Sequence, residues 1–249
     1  MKSTSRPNPF VNRKPLTGTS RAEFIARIRK NLGHSAERSP EPGTPPVLEP
    51  AVVRQVAASS AGSAAVVGRW QQKMIENKAT VHRLAGADQA GVLAALDGCL
   101  AKHSVKRALL NLQQLGQRFP IAEQLRSRQI ETVEWGTPTA FLDSYQAEVS
   151  ITDAPAGLAD TGALLVWSHE HFGRSSTLVT PVHITLLPAS RILPDLVDGL
   201  AFVQQQNPGL LPSNIVVING PSKTGDIEMK LVVGVHGPKY LYVLLLDGM

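Results

Sequence analysis

Residues 218–238 read "INGPSKTGDIEMKLVVGVHGP" and gather two Gly-Pro pairs, a Ser-Lys-Thr run, two carboxylates and a histidine. Ser222, Lys223 and Thr224 after the Gly220 turn are the types that hold an anion, with hydroxyls, backbone N–H groups and one cation. Asp226, Glu228 and His236 are candidate acid/base groups, and Gly237 beside His236 permits close approach. The plain alternative for the first half is a capped helix start, with Asp226 and Glu228 satisfying the helix dipole. For His236 it is a turn histidine bonded to backbone. Gly220 and Gly225 have P-loop separation, but Asp226-Ile227 stand where Lys-Ser/Thr is required, and there is no G-x-G-x-x-G.

A second cluster is "AGLADTGALLVW", where Asp160, Thr161 and Gly162 precede an apolar strand. Asp160 could orient a histidine or meet a substrate hydroxyl, and local turn bonds are the alternative. His183 opens "HITLLP", as a site residue or a satisfied core histidine. "HEHFGR" lacks the full H-E-x-x-H spacing for zinc, so no metal site is expected, whereas Arg174 suits a carboxylate or phosphate.

These residues need elements to position them. "AAVVGRWQQKMIEN" carries Val66, Val67, Trp70 and Met74 at helical spacing, and "DQAGVLAALDGCLAKH" reads as a helix capped by Asp88. "PIAEQLRSR" and "ILPDLVDGLAFVQQQ" are further helices. "ATVHRL", "RALLNL", "IETVEW", "AEVSITDA", "GALLVW", "HITLLP", "NIVVI" and "KYLYVLLLD" read as strands. The alternation predicts a Rossmann-like α/β fold, a largely parallel sheet with helices on both faces. "LVVG", "NIVVI" and "YLYVLLLD" are apolar enough to be covered on both sides. Ligands of such sheets sit beyond the carboxyl ends of the strands, so "GPSKTGDIE", following "NIVVI", is expected to start a helix there and line a pocket.

The chain has 249 residues, 43% of them hydrophobic, enough for a sizeable core. Its formal charge of +5 is uneven: residues 1–54 carry 10 Lys/Arg against 4 Asp/Glu, and residues 55–249 carry 15 against 16. The basic excess therefore lies in the tail, which argues against a nucleic-acid-binding face. The tail, residues 1–50, holds a short helix at 20–33, capped by Ser20 with Glu23, and a linker with five prolines between residues 38 and 50. The α/β domain is expected over 51–249. A single cysteine, Cys99, fits a reducing, cytoplasmic compartment and a core position. No membrane span is expected.

"AGLADTGALLV", "VHITLLPASRI" and "INGPSKTGDIEMKLVVGVHGPKYLYVLLLD", in this order, resemble the LUD-domain family, in its lactate-utilisation protein C branch. "RAEFIARIRKNLG" before a proline-rich linker resembles the amino terminus of that branch. The resemblance implies a NagB/RpiA/CoA-transferase-like fold and a role in oxidising L-lactate to pyruvate. It also implies iron–sulfur proteins as partners: the clusters belong to them, and this chain binds no cofactor of its own. The expectation is an accessory subunit with a small anionic ligand pocket. The alternatives are a free-standing isomerase- or transferase-like enzyme and a ligand-sensing regulatory module.

Overall fold

The computed structural model describes residues 20–31 and 61–249, apart from 114, 116, 117, 138, 170, 171, 210, 228, 229 and 235. The chain divides into two units, Met1–Glu49 and Pro50–Met249. In the first, α1 (Arg21–Asn31) opens with a capping box: the Glu23 N–H donates to Ser20 Oγ at 3.3 Å, and the Ser20 N–H donates to Glu23 Oε2 at 2.6 Å. Phe24 and Ile28 are exposed on it. Gly33 and the proline-rich linker lie outside the described residues.

The second unit is built on six parallel strands. These are β1 (Thr80–Ala85), β2 (Arg107–Asn111), β3 (Glu131–Glu134), β4 (Val149–Asp153), β7 (Val182–Pro188) and β12 (Tyr240–Asp247), in the order β1-β12-β7-β4-β2-β3. Helices α3 (Gln89–Leu100) and α4 (Ile121–Ser127) cover one face. Val92, Leu96, Ile121 and Leu125 pack there on Ile151, Ile184, Leu186 and Leu244. Asp88 caps α3 by accepting the Gly91 N–H at 2.9 Å.

Helix α2 (Ala64–Glu76) covers the opposite face. Its spacing of Val66, Val67, Trp70 and Met74 presents one apolar stripe, and all four are buried. Beside it lies a second sheet of four strands in the order β8-β5-β6-β9: β5 (Ala156–Leu158), β6 (Ala163–Trp167), β8 (Ile192–Leu193) and β9 (Ile215–Ile218). The Trp70 indole N–H donates to the Ala163 carbonyl at 2.8 Å, joining α2 to this sheet. A short helix, α5 (Ala140–Asp143), precedes β4, and α6 (Leu196–Gln206) packs Val203 on the outer face of the small sheet.

The expected Rossmann-like class, with helices on both faces of a parallel sheet, is what the chain forms. Two strands differ from their expected roles. "NIVVI" is the edge of the small mixed sheet and leaves Val217 44% exposed. "LVVG" belongs to a two-stranded hairpin of β10 (Lys223–Ile227) and β11 (Lys230–Val233). A four-residue apolar run has the same composition at a sheet centre and at an edge, so periodicity does not separate them. Among the described residues no helix is long and apolar enough to cross a membrane.

Candidate functional site

The 218–238 stretch does not start a helix, and it does not lie beyond the carboxyl ends of the parallel strands. After Gly220 and Pro221 the chain enters the β10–β11 hairpin, which removes the helix dipole as an anion-holding device. The hairpin's base is tied to the amino ends of β7 and β12. The Ser222 N–H donates to Pro238 O at 2.9 Å, and the Lys239 N–H donates to Pro181 O at 2.8 Å.

Asn77, the residue that ends α2 just before β1, organises this end. Its side-chain amide donates to Thr161 O at 3.1 Å and pairs with the Asn219 side chain, and its carbonyl accepts from Lys223 Nζ at 3.1 Å. Gly220 has φ +84°, and a Cβ there would collide with the Asn77 carbonyl oxygen. Gly162 has φ +66°, and its Cβ would come within 2.6 Å of the Met74 backbone nitrogen. The two motifs therefore meet, but as a backbone lock at the amino end of the sheet.

The remaining expected residues divide between this lock and the sheet face. The Asp160 N–H donates to Pro194 O at 3.0 Å, while its Oδ1 is buried with no partner among the described residues. Gly237 backs onto Ser222, and His236 is exposed. Thr224 and Asp226 belong to β10, and Glu228 lies outside the described residues.

His183 is buried in β7, in a polar layer with Asn111, Ser150, Thr152 and Thr185, and the turn Arg174–Thr177 packs on the neighbouring β2 and β4. Thr152 Oγ1 donates to Thr185 Oγ1 at 3.2 Å, so it accepts from His183 Nε2 at 2.9 Å. Burial pushes the imidazole down to about 4, which keeps it neutral, and Nδ1 is an acceptor without a partner among the described residues. Asn111 Nδ2 donates to Ser176 Oγ at 3.1 Å and fastens the Arg174–Thr177 turn.

The carboxyl end of the sheet holds a crevice that the motifs did not point to. The chain leaves β2 toward β3 at one edge, and leaves β4 toward β7 and β12 on the other side. The gap between β2 and β4 is therefore the topological switch point, where open α/β sheets bind ligands. Asp153, the last residue of β4, sits there. Its Oδ2 accepts the Gln113 N–H at 2.9 Å and the Leu115 N–H at 3.2 Å. Its Oδ1 is buried and has no partner among the described residues. Burial raises the carboxyl from 3.8 to about 6, against the two N–H bonds that favour its ionised form.

The crevice has a volume of about 260 Å³ and is also lined by His169, Trp167, Arg191 and Phe202. The Arg191 guanidinium lies 5.4 Å from the Phe202 ring centre, with the Trp167 ring 6.1 Å beyond in edge contact. A cation held over an aromatic ring beside a buried carboxylate can bind an anion that also carries a hydrogen-bond donor. No described residue of 218–238 lines this crevice. The only local signal was an aspartate closing the buried strand "SITD".

An α/β protein with helices on both faces of a parallel sheet and a polar crevice at its switch point is the class that fold and geometry define. The chain belongs to the LUD domain family, whose model matches residues 67–246. It is 35% identical over 144 residues to the lactate utilization protein C of Bacillus subtilis, covering 51% of this chain and 60% of that protein. It is 42% identical over 105 residues to the Bacillus velezensis protein of that name, covering 41% and 44%. With the Halalkalibacterium halodurans protein of that name it shares 31% over 157 residues, covering 61% and 68%. The matches to the two Bacillus proteins thus span less than two thirds of those relatives' length. The crystal structure of a DUF162 family protein from Deinococcus radiodurans superposes with a TM-score of 0.53 at 15% identity, over 74% of this chain and 97% of that one, and shares the fold.

Proposed function

We propose that this chain serves lactate utilisation as a component that works beside iron–sulfur proteins, and that its crevice at Asp153 and Arg191 binds a small carboxylate. The role rests on one observation, the family match together with relatives named lactate utilization protein C. Electron transfer falls to the partners in this reading. Cluster ligation needs several thiolates. The chain's one cysteine, Cys99, is fully buried, and burial pushes its thiol up to about 11.

In the crevice, Arg191 would take the ligand's carboxylate and the Asp153 carboxyl group a hydroxyl donor. A volume of about 260 Å³ suits a ligand of a few heavy atoms. The test is a tagged pull-down from cells grown on lactate. An eluate with iron–sulfur absorbance and lactate-dependent dye reduction is expected, and this chain alone, colourless and inactive, would sink the reading.

One observation favours a catalytic variant of this reading. A carboxyl at about 6 exchanges protons near neutral pH, as general acid/base work requires. Turnover by the purified chain alone, lost in Asp153→Asn, would establish it. Ligand-induced thermal stabilisation without turnover would instead point to a sensing role.

A further inference from the structure

A second cavity, of about 450 Å³, adjoins the segment that walls the crevice. Phe172 lines the crevice and the next residue, Gly173, lines this cavity, so the two share a wall. Trp135 and Tyr145 supply aromatic walls, and Leu178 and Val179 an aliphatic one. The indole lies directly against the Gly173 backbone, where an added Cβ would fall inside the ring. Bare backbone thus fixes the ring's position, and Tyr145 is 62% exposed.

Two polar residues, Arg174 and Ser175, line this apolar frame. Arg174 is exposed and makes no ion pair among the described residues. The Ser175 hydroxyl is buried and has no hydrogen-bond partner among them.

We propose that this cavity binds a planar heteroaromatic ring carrying an anionic group, with the ring against Trp135 and Tyr145 and the anion on Arg174. Aromatic walls favour a flat π-system over a branched aliphatic ligand. The guanidinium selects carboxylate or phosphate on its arm. The volume falls within the range of small-molecule sites of roughly 300–1,000 Å³. The inference does not depend on lactate or on the crevice, because none of its residues lines that site.

The experiment is fluorescence titration of the full chain with flavin mononucleotide and, separately, with AMP. Riboflavin serves as the ring without the phosphate. At least one nucleotide is expected to bind saturably. Arg174→Gln and Tyr145→Ala should each weaken it about tenfold or more, and Arg174→Lys should recover part of the loss. Both positions are exposed, so thermal melting of the variants should stay at the wild-type value. Failure of both nucleotides to saturate at millimolar concentration would overturn the proposal. So would binding undiminished in both variants. Riboflavin binding as tightly as flavin mononucleotide would overturn the anionic half.

Discussion

Asp153 Oδ2 accepts the Gln113 N–H at 2.9 Å and so ties the end of β4 to the turn after β2. That bond crosses the switch point of the sheet and leaves the second carboxylate oxygen buried without a protein partner among the described residues, in a residue that lines the crevice. A binding group and a structural tie are thus the same side chain, and its ionisation has a cost.

The cost is measurable. The carboxyl titrates at about 6 in the folded chain, above its ordinary 3.8. Between these values the folded state binds more protons than the unfolded state, so this group's contribution to stability falls as pH rises from about 4 to about 6, and the loss is complete above that. The interval corresponds to about 3 kcal/mol. Asp153→Asn keeps an acceptor for the two N–H groups without the charge. Denaturant titrations from pH 4 to 8 should show the variant gaining on the wild type through that window, while small-carboxylate binding is lost. A difference that does not change with pH would contradict the assignment.

His183 predicts the opposite slope. Its folded value of about 4 lies below the ordinary 6.5, so the unfolded state binds more protons in between. Its contribution is present above about 6.5 and is lost as pH falls toward 4. Nitrogen chemical shifts of this ring should report a neutral imidazole from pH 5 to 8. An imidazolium signal at pH 6 would mean the buried layer is wet.

Gly220→Ala tests the amino-end lock. The substitution combines φ +84° with collision against the Asn77 carbonyl, and a loss of about 2 kcal/mol or more is expected. Gly209 has φ +85° and, among the described residues, nothing within 4 Å of an added Cβ. Gly209→Ala should therefore cost only the backbone term, about 1 kcal/mol. Equal melting shifts in the two variants would show that the contact with Asn77 contributes nothing.

Lys223 supplies the contrast between the two ends of the sheet. Its ammonium is exposed and bonded to Asn77 O. Lys223→Gln should change stability by less than about 1 kcal/mol, and it should leave carboxylate binding intact, whereas Arg191→Gln should reduce that binding about tenfold or more. Calorimetry on the two variants decides between the amino-end motif and the carboxyl-end crevice.

Much of the fold was readable because its signals are periodic. The α2 stripe at Val66, Val67, Trp70 and Met74 and the apolar run of β12 each have one packing solution, and Asp88 marks a helix start by its cap, whereas the helix expected from Ile192 starts only at Leu196, after Ile192–Leu193 form β8. The hairpin was not readable. Gly-Pro followed by Ser, Thr and carboxylates is equally the chemistry of a capped helix and of a turn into a strand. The crevice was hidden for a different reason: Asp153, Arg191 and Phe202 are far apart in sequence and form no motif, and only the second sheet brings them together. The signature residues drew attention because glycines at positive φ and amides in a backbone lock resemble a binding loop when read in one dimension.

Growth on L-lactate as the sole carbon source, in a strain from which this chain alone is deleted, tests the central claim most directly. The account predicts that growth on lactate is lost or severely slowed, that growth on glucose is normal, and that the intact chain restores the former. Normal growth of the clean deletion strain on lactate would contradict it.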